Sequence, residues 1–220
     1  AGGVEDMFTI PQGGFAPDFN VKLAEQDYYI SMGEGAELLA DELNISREEQ
    51  EEFSFSSHEK AVAAREAGKF DNEIVPITLE DGTIIDQDSG PRNPDKEKIK
   101  SLNPAFRADG TVTAATSSPF SIGASAMLIT SENFANKHGL KIRAFIEGRA
   151  VAGVNWKMFG SGPVPATKKA LEKTGLSIDD IDALELNEAF AAQALYCIKK
   201  ANWNPDKVNL NGGAVALGHP

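Results

Sequence analysis

The sequence predicts an α/β fold of layered sheet and helix, and three observations predict it. From about residue 109 onward, apolar segments of strand character alternate with segments of helical periodicity. The strand-like DALEL (182–186) runs straight into the helical NEAFAAQALYCIKKA (187–201), and α/β folds place ligands at such strand ends. Hydrophobic residues make up 41% of the 220 residues and charged residues 25%, which supplies a core of useful size and an ordinary globular surface.

The elements follow in chain order. Residues 7–35 read as loop, with Pro11, Gly13, Gly14 and Pro17 as breakers. A helix is expected over Gly35–Leu43. Ser46 and Glu49 then form an S-x-x-E capping box, and the helix they start runs through Phe53 and Ala61 toward Gly68. DNEIVPITLE (71–80) reads as a short strand before a turn at Gly82, and the polar 86–98, broken by Pro91 and Pro94, as a loop. GTVTAAT (110–116) reads as a strand, and Gly123–Ser131 as the start of a helix of small residues. KIRAFIEGRAVAGV (141–154) reads as a strand bent at Gly148. PVPATKKALEKTG is a helix with Pro165 near its first turn and Gly175 beyond its end. VNLNGGAVAL closes with a strand and a Gly-rich bend.

Charge and cysteine usage exclude several functions. The net charge of -12 lies in the first half: residues 1–110 carry 10 basic and 24 acidic side chains, residues 111–220 carry 11 and 9. That balance argues against nucleic-acid binding and for a solvated acidic surface. No apolar run reaches the roughly 20 residues of a membrane span. The opening AGGVEDMF lacks the basic start and apolar stretch of a signal peptide. A chain that starts with Ala is expected to have its true beginning elsewhere. The single cysteine, Cys197, forms no internal disulfide and no cysteine-based zinc cluster, so no metal is expected, and the expected location is cytoplasmic. Cys197 shares a helix face with Phe190, Ala194 and Ile198 and reads as a small buried residue.

Two residues stand where a site would be. Asn187 lies at the strand-to-helix junction, where it serves either as a helix N-cap or as a ligand-facing amide. His219 follows the bend of NLNGGAVALGHP, where glycines let backbone approach a ligand. It is either an exposed terminal histidine or an acid, base or hydrogen-bond donor working near neutral pH. His58 and His138 read as surface or helix-end residues.

These segments together resemble the thiolase family. The resemblance rests on AGGVEDM (1–7), SREEQEEF (46–53), the H-x-K-A of His58–Ala61, VTAATSS (112–118), GSGPVPATKKAL (160–171), LSIDDID (176–182), NEAF (187–190) and NGGAVALGHP (211–220), all collinear. It implies an acyltransferase that cleaves a 3-ketoacyl-CoA with CoA or runs the reverse Claisen condensation, with coenzyme A as substrate and no cofactor. A cysteine nucleophile takes the acyl group and a second cysteine moves the α-carbon proton. His219 matches the histidine that activates the nucleophile and helps hold the thioester oxygen. Asn187 matches the asparagine that positions a water completing that oxyanion hole. Ser118 matches a serine on the pantetheine arm and Arg92 an arginine beside the adenine nucleotide. Met32 and Phe190 match residues beside the acyl and reacting groups, where plain packing is the other reading. The implied fold is layered α-β-α-β-α, with residues 1–108 as loop domain and 109–220 as most of the second half. A homodimer or tetramer is implied as well.

The sequence departs from the family pattern in four places. The nucleophile would precede Ala1 and the second cysteine would follow Pro220, and Cys197 matches neither. Ile122 stands where the family usually has Asp, and Gly35 where it has Thr. The expected reading is therefore an internal piece of a thiolase. The alternative is a non-catalytic, truncated thiolase-like protein that binds CoA or a partner subunit.

Overall fold

The computed structural model describes residues 1–9 and 18–220; the breakers Pro11, Gly13, Gly14 and Pro17 lie outside the described residues. Its elements are β1 (Gly2–Asp6), α1 (Val21–Ala24), α2 (Met32–Leu43), α3 (Arg47–Glu66), β2 (Ile77–Thr78), β3 (Ile84–Ile85), α4 (Lys96–Lys100), β4 (Ile122–Ala126), α5 (Glu132–Lys137), α6 (Pro163–Thr174), α7 (Ala191–Ala201) and α8 (Ala214–Leu217). Among the described residues no helix is long and apolar enough to cross a membrane.

Helix starts obey local chemistry. Ser46 and Glu49 make the expected reciprocal capping box at the head of α3. Ser31 and Glu34 make a second one, which starts α2 three residues before the expected Gly35. Gly35 itself lies under Phe159, where a Cβ would come within 2.5 Å of the ring, so packing accounts for its small size. α6 carries Pro163 in its first turn and ends on Gly175 in the left-handed conformation.

Helices α2, α3 and α7 hold the core. Ala36, Leu39 and Ala40 of α2 meet Ala194, Cys197 and Ile198 of α7, with Val112, Trp203 and Val208 closing the cluster. α8 lies against α3. One ion pair and one hydrogen bond tie α2 to α7 through Glu42, which accepts from Lys200 and from Tyr196 Oη at 2.9 Å each.

Several sequence expectations are corrected. GTVTAAT is not a strand, because side chains occupy its backbone groups. Buried Glu37 accepts the N–H groups of Thr111 and Val112 at 3.0 Å, Thr116 Oγ1 accepts from Thr113 N, and Ala114–Thr116 turns as a 3-10 helix. Gly123–Ser131 opens no helix. β4 pairs antiparallel with β1, Gly2 opposite Ala126 and Asp6 opposite Ile122, and the next helix, α5, waits for the Ser131 cap. Ile122 therefore sits on a ribbon and is largely exposed. Residues 141–154 form no ladder, since no neighbouring strand among the described residues meets their N–H and C=O groups. The expected strand at 71–80 shrinks to the two residues of β2, which form a small hairpin with β3 around Gly82. DALEL and VNLN are reduced to one parallel bridge, Leu184 with Val208, and the Gly-rich bend leads into the short α8. His58 is not a surface residue: it is 4% exposed in the middle of α3.

Candidate functional site

α7 begins at Ala191 with Phe190 in the cap position, so Asn187 is not a helix N-cap. Its amide is left free to face the site. Asn187 Nδ2 lies 3.2 Å from His219 Nε2. An amide flip exchanges donor for acceptor at this contact, so the pair accommodates either tautomer of the imidazole. Both side chains are exposed on one face, as residues that receive a ligand must be.

Three chain segments build that face. The first is the strand end Leu186–Phe190. The second is Asn209–His219, in which Asn209 takes a left-handed backbone conformation and α8 carries the chain to Gly218 and His219. The third is Ser117–Ser121. Ser118 N donates to Ala189 O at 3.0 Å, Ser117 bridges Phe190, and His219 N donates to Ser121 Oγ at 2.9 Å. Ser118 thus lies beside the junction that carries Asn187.

Beneath the face is Glu188, 1% exposed. Its Oε2 accepts from Ser57 Oγ at 2.7 Å and from Val215 N at 3.1 Å, and its Oε1 accepts from Asn209 Nδ2 at 2.7 Å. Gly213 crosses close above it: a Cβ there would sit 2.3 Å from the carboxyl carbon. Sequence reasoning passed over Glu188, Asn209 and Ser57. The usable signal was an acid set in the apolar run ALELNEAF, where burial demands partners. Nearby Glu185 is pushed toward the neutral form, first by burial and then by the charge of Glu188.

A groove of about 250 Å³ opens beside the pair. Met32, Phe190 and Asn187 line it together, with Leu39, Phe159 and Pro163 among the apolar walls. Phe190 meets Phe106 edge to face at 5.7 Å between centroids. Arg92 occupies another place. It is exposed, and its Nη1 donates to Gly90 O at 3.1 Å in its own loop. That loop lies against α8, where a Cβ on Gly90 would sit 2.3 Å from Ala216 O. The structure therefore gathers Asn187, His219, Ser118, Met32 and Phe190 around one junction and leaves Arg92 on an adjoining loop.

Cys197 does not belong to this face. It is fully buried in the core, its Sγ is 3.3 Å from Gly160 O, and burial pushes its thiol up to about 11.

The strand-to-helix junction thus sets the Asn187 amide against a histidine on a Gly-rich bend. Family comparisons place the chain. Residues 9–133 match the thiolase N-terminal domain and residues 140–220 the thiolase C-terminal domain. The chain belongs to the thiolase family. It is 49% identical, over its whole length, to a 3-ketoacyl-CoA thiolase of Vibrio parahaemolyticus, of which it covers 59%. The fold superposes on the crystal structure of human mitochondrial 3-ketoacyl-CoA thiolase in complex with CoA with a TM-score of 0.90, at 37% identity, covering 100% of this chain and 59% of that one. It superposes on the dimeric peroxisomal thiolase of Saccharomyces cerevisiae with a TM-score of 0.89, at 41% identity, covering 100% of this chain and 58% of that one. The layered α/β fold expected from the sequence is thus that of the thiolases, and the chain spans about three fifths of the length of the relatives it matches.

Proposed function

We propose that these residues form the wall of a thiolase site that cleaves a 3-ketoacyl-CoA with CoA, or runs the reverse condensation. The observation that carries this reading is the 3.2 Å contact between Asn187 and His219, on segments tied together by the buried, hydrogen-bonded Glu188. In this reading the cysteine nucleophile and the second, proton-moving cysteine are supplied from outside the 220 residues. His219 takes the thiol proton, and the thiolate attacks the keto carbonyl. The bond between the α- and β-carbons breaks, and the acetyl-CoA enolate takes a proton from the second cysteine. The CoA thiol then gives its proton to the second cysteine and attacks the acyl-cysteine thioester; the nucleophile leaves as a thiolate, takes its proton back from His219, and the shortened acyl-CoA is freed. His219 donates to the thioester oxygen as charge develops there, and Asn187 holds the water that supplies the second donor. Such donors act where charge appears and so favour the transition state over the bound substrate.

The groove lined by Met32 and Phe190 takes the acyl group. Ser118 holds the pantetheine arm and Arg92 the nucleotide end of CoA. Residues 1–108 act as the loop domain and 109–220 as most of the second half, and the active protein is a homodimer or tetramer. The location proposed for it is cytoplasmic.

The test is CoA-dependent loss of acetoacetyl-CoA, followed with the active enzyme that carries these residues. Ser118→Ala should raise KM for CoA with a smaller effect on kcat, because its contact is remote from the bond change. An enzyme that binds CoA but cleaves no 3-ketoacyl-CoA of any chain length contradicts the reading.

A further inference from the structure

We propose that Glu188 is a positioning residue that sets the geometry of Asn187 against His219, and that a carboxylate is the only side chain that can do this. The inference rests on the thiolase reading for its kinetic test but not for its geometry.

The donors around Glu188 are all neutral, and each is fixed as a donor. Ser57 Oγ accepts the N–H of Gly213 at 3.0 Å, so its own proton is left to point at Glu188 Oε2. Asn209 cannot turn its amide over. Its Oδ1 accepts from Leu186 N and its Nδ2 donates to Leu186 O, both at 2.8 Å. Val215 N is backbone and can only donate. Both ends of the side chain at 188 must therefore accept. A glutamine places an NH₂ against a fixed donor whichever way it turns, and a buried donor left facing a donor loses its partner outright.

The same bonds reach both site residues. Leu186, gripped by Asn209, precedes Asn187 by one residue. Val215, held by Glu188, precedes His219 by four, and Gly213, held by Ser57, begins that segment. Glu188 thus joins the strand end, the histidine-bearing bend and helix α3 at a single point. Asn187 and His219 lie on the two segments it joins and meet at 3.2 Å. A small misplacement at a reacting centre costs turnover far more than binding.

The experiment compares Glu188→Gln and Glu188→Asp in the active enzyme. Glu188→Gln should lower kcat about 100-fold while KM for CoA stays within about twofold. Glu188→Asp accepts at both ends and should recover part of the loss. In a His219→Ala background, Glu188→Gln should cost less than about threefold, since its effect passes through His219. Should Glu188→Gln not fold, Ser57→Ala removes one donor and should show the same split, a loss of about 3- to 10-fold in kcat. A readout apart from turnover is the ring nitrogen resonances of His219, which should move in Glu188→Gln. Unchanged kcat in both variants, a full 100-fold loss persisting in the His219→Ala background, or unmoved resonances would overturn the proposal. Failure of the thiolase reading looks different: the wild type then cleaves no ketoacyl-CoA, while the resonances still report on Glu188.

Discussion

The helix α7 and the segment 141–154 are both rich in apolar residues, and they meet opposite fates. In α7, Ala194 and Cys197 are completely buried between α2 and the 203–208 turn. In 141–154, Ile146 is 71% and Val151 89% exposed, and the backbone forms no ladder. The difference lies in what each needs from its surroundings. A helix satisfies its own backbone and needs only one face covered. A strand makes its ladder hydrogen bonds only with a neighbour, so apolar β-type residues specify a strand only where a partner strand lies alongside.

This contrast can be broken by substitution. The largest effect is expected in the helical core, where Leu39→Ala should destabilise the protein by about 2–5 kcal/mol, through lost burial and the cavity left behind. Denaturant unfolding measures it, and a loss below about 1 kcal/mol would mean that α2 and α7 are not packed as described. At the exposed segment the same truncation, Val151→Ala, should stay within about 0.5 kcal/mol.

An intermediate effect is expected from pH. Burial, and secondarily the charge of Arg92, pushes His58 down from 6.5 to about 4. The unfolded chain therefore binds this proton first as pH falls. Stability should be full above about pH 6.5, decline through the window, and stop declining near pH 4. The loss amounts to at most about 3 kcal/mol. His58→Gln should flatten the slope of melting temperature against pH in that window. An unchanged slope would show that His58 titrates alike in both states.

The sequence was legible where local chemistry decides. The Ser46–Glu49 box and the Gly175 stop are written in adjacent residues, and the structure has both. Ser31-Met-Gly-Glu34 carries the same S-x-x-E signal, hidden by the glycines around it. GTVTAAT was misread because its backbone partners, Glu37 above all, lie more than 70 residues away. The Gly123–Ser131 stretch was misread because small residues suit a helix face and a close ribbon equally well, and only the partner β1 decides. In the site, the motif likeness singled out Asn187 and His219, which the structure brings together. The carboxylate between their segments stayed unread, because its meaning depends on Ser57 and Asn209, which converge on it from other parts of the chain.

The account stands most directly on the pairing of His219 with Asn187, and steady-state thiolysis by the active enzyme tests it. His219→Ala should lower kcat by more than the about 100- to 1,000-fold expected from one lost oxyanion donor, because activation of the nucleophile is lost as well. Its KM should change little, and iodoacetamide labelling of the nucleophilic cysteine should slow in parallel. Asn187→Ala, which acts through a held water, should cost less. A His219→Ala enzyme with kcat and labelling near wild type would contradict the account.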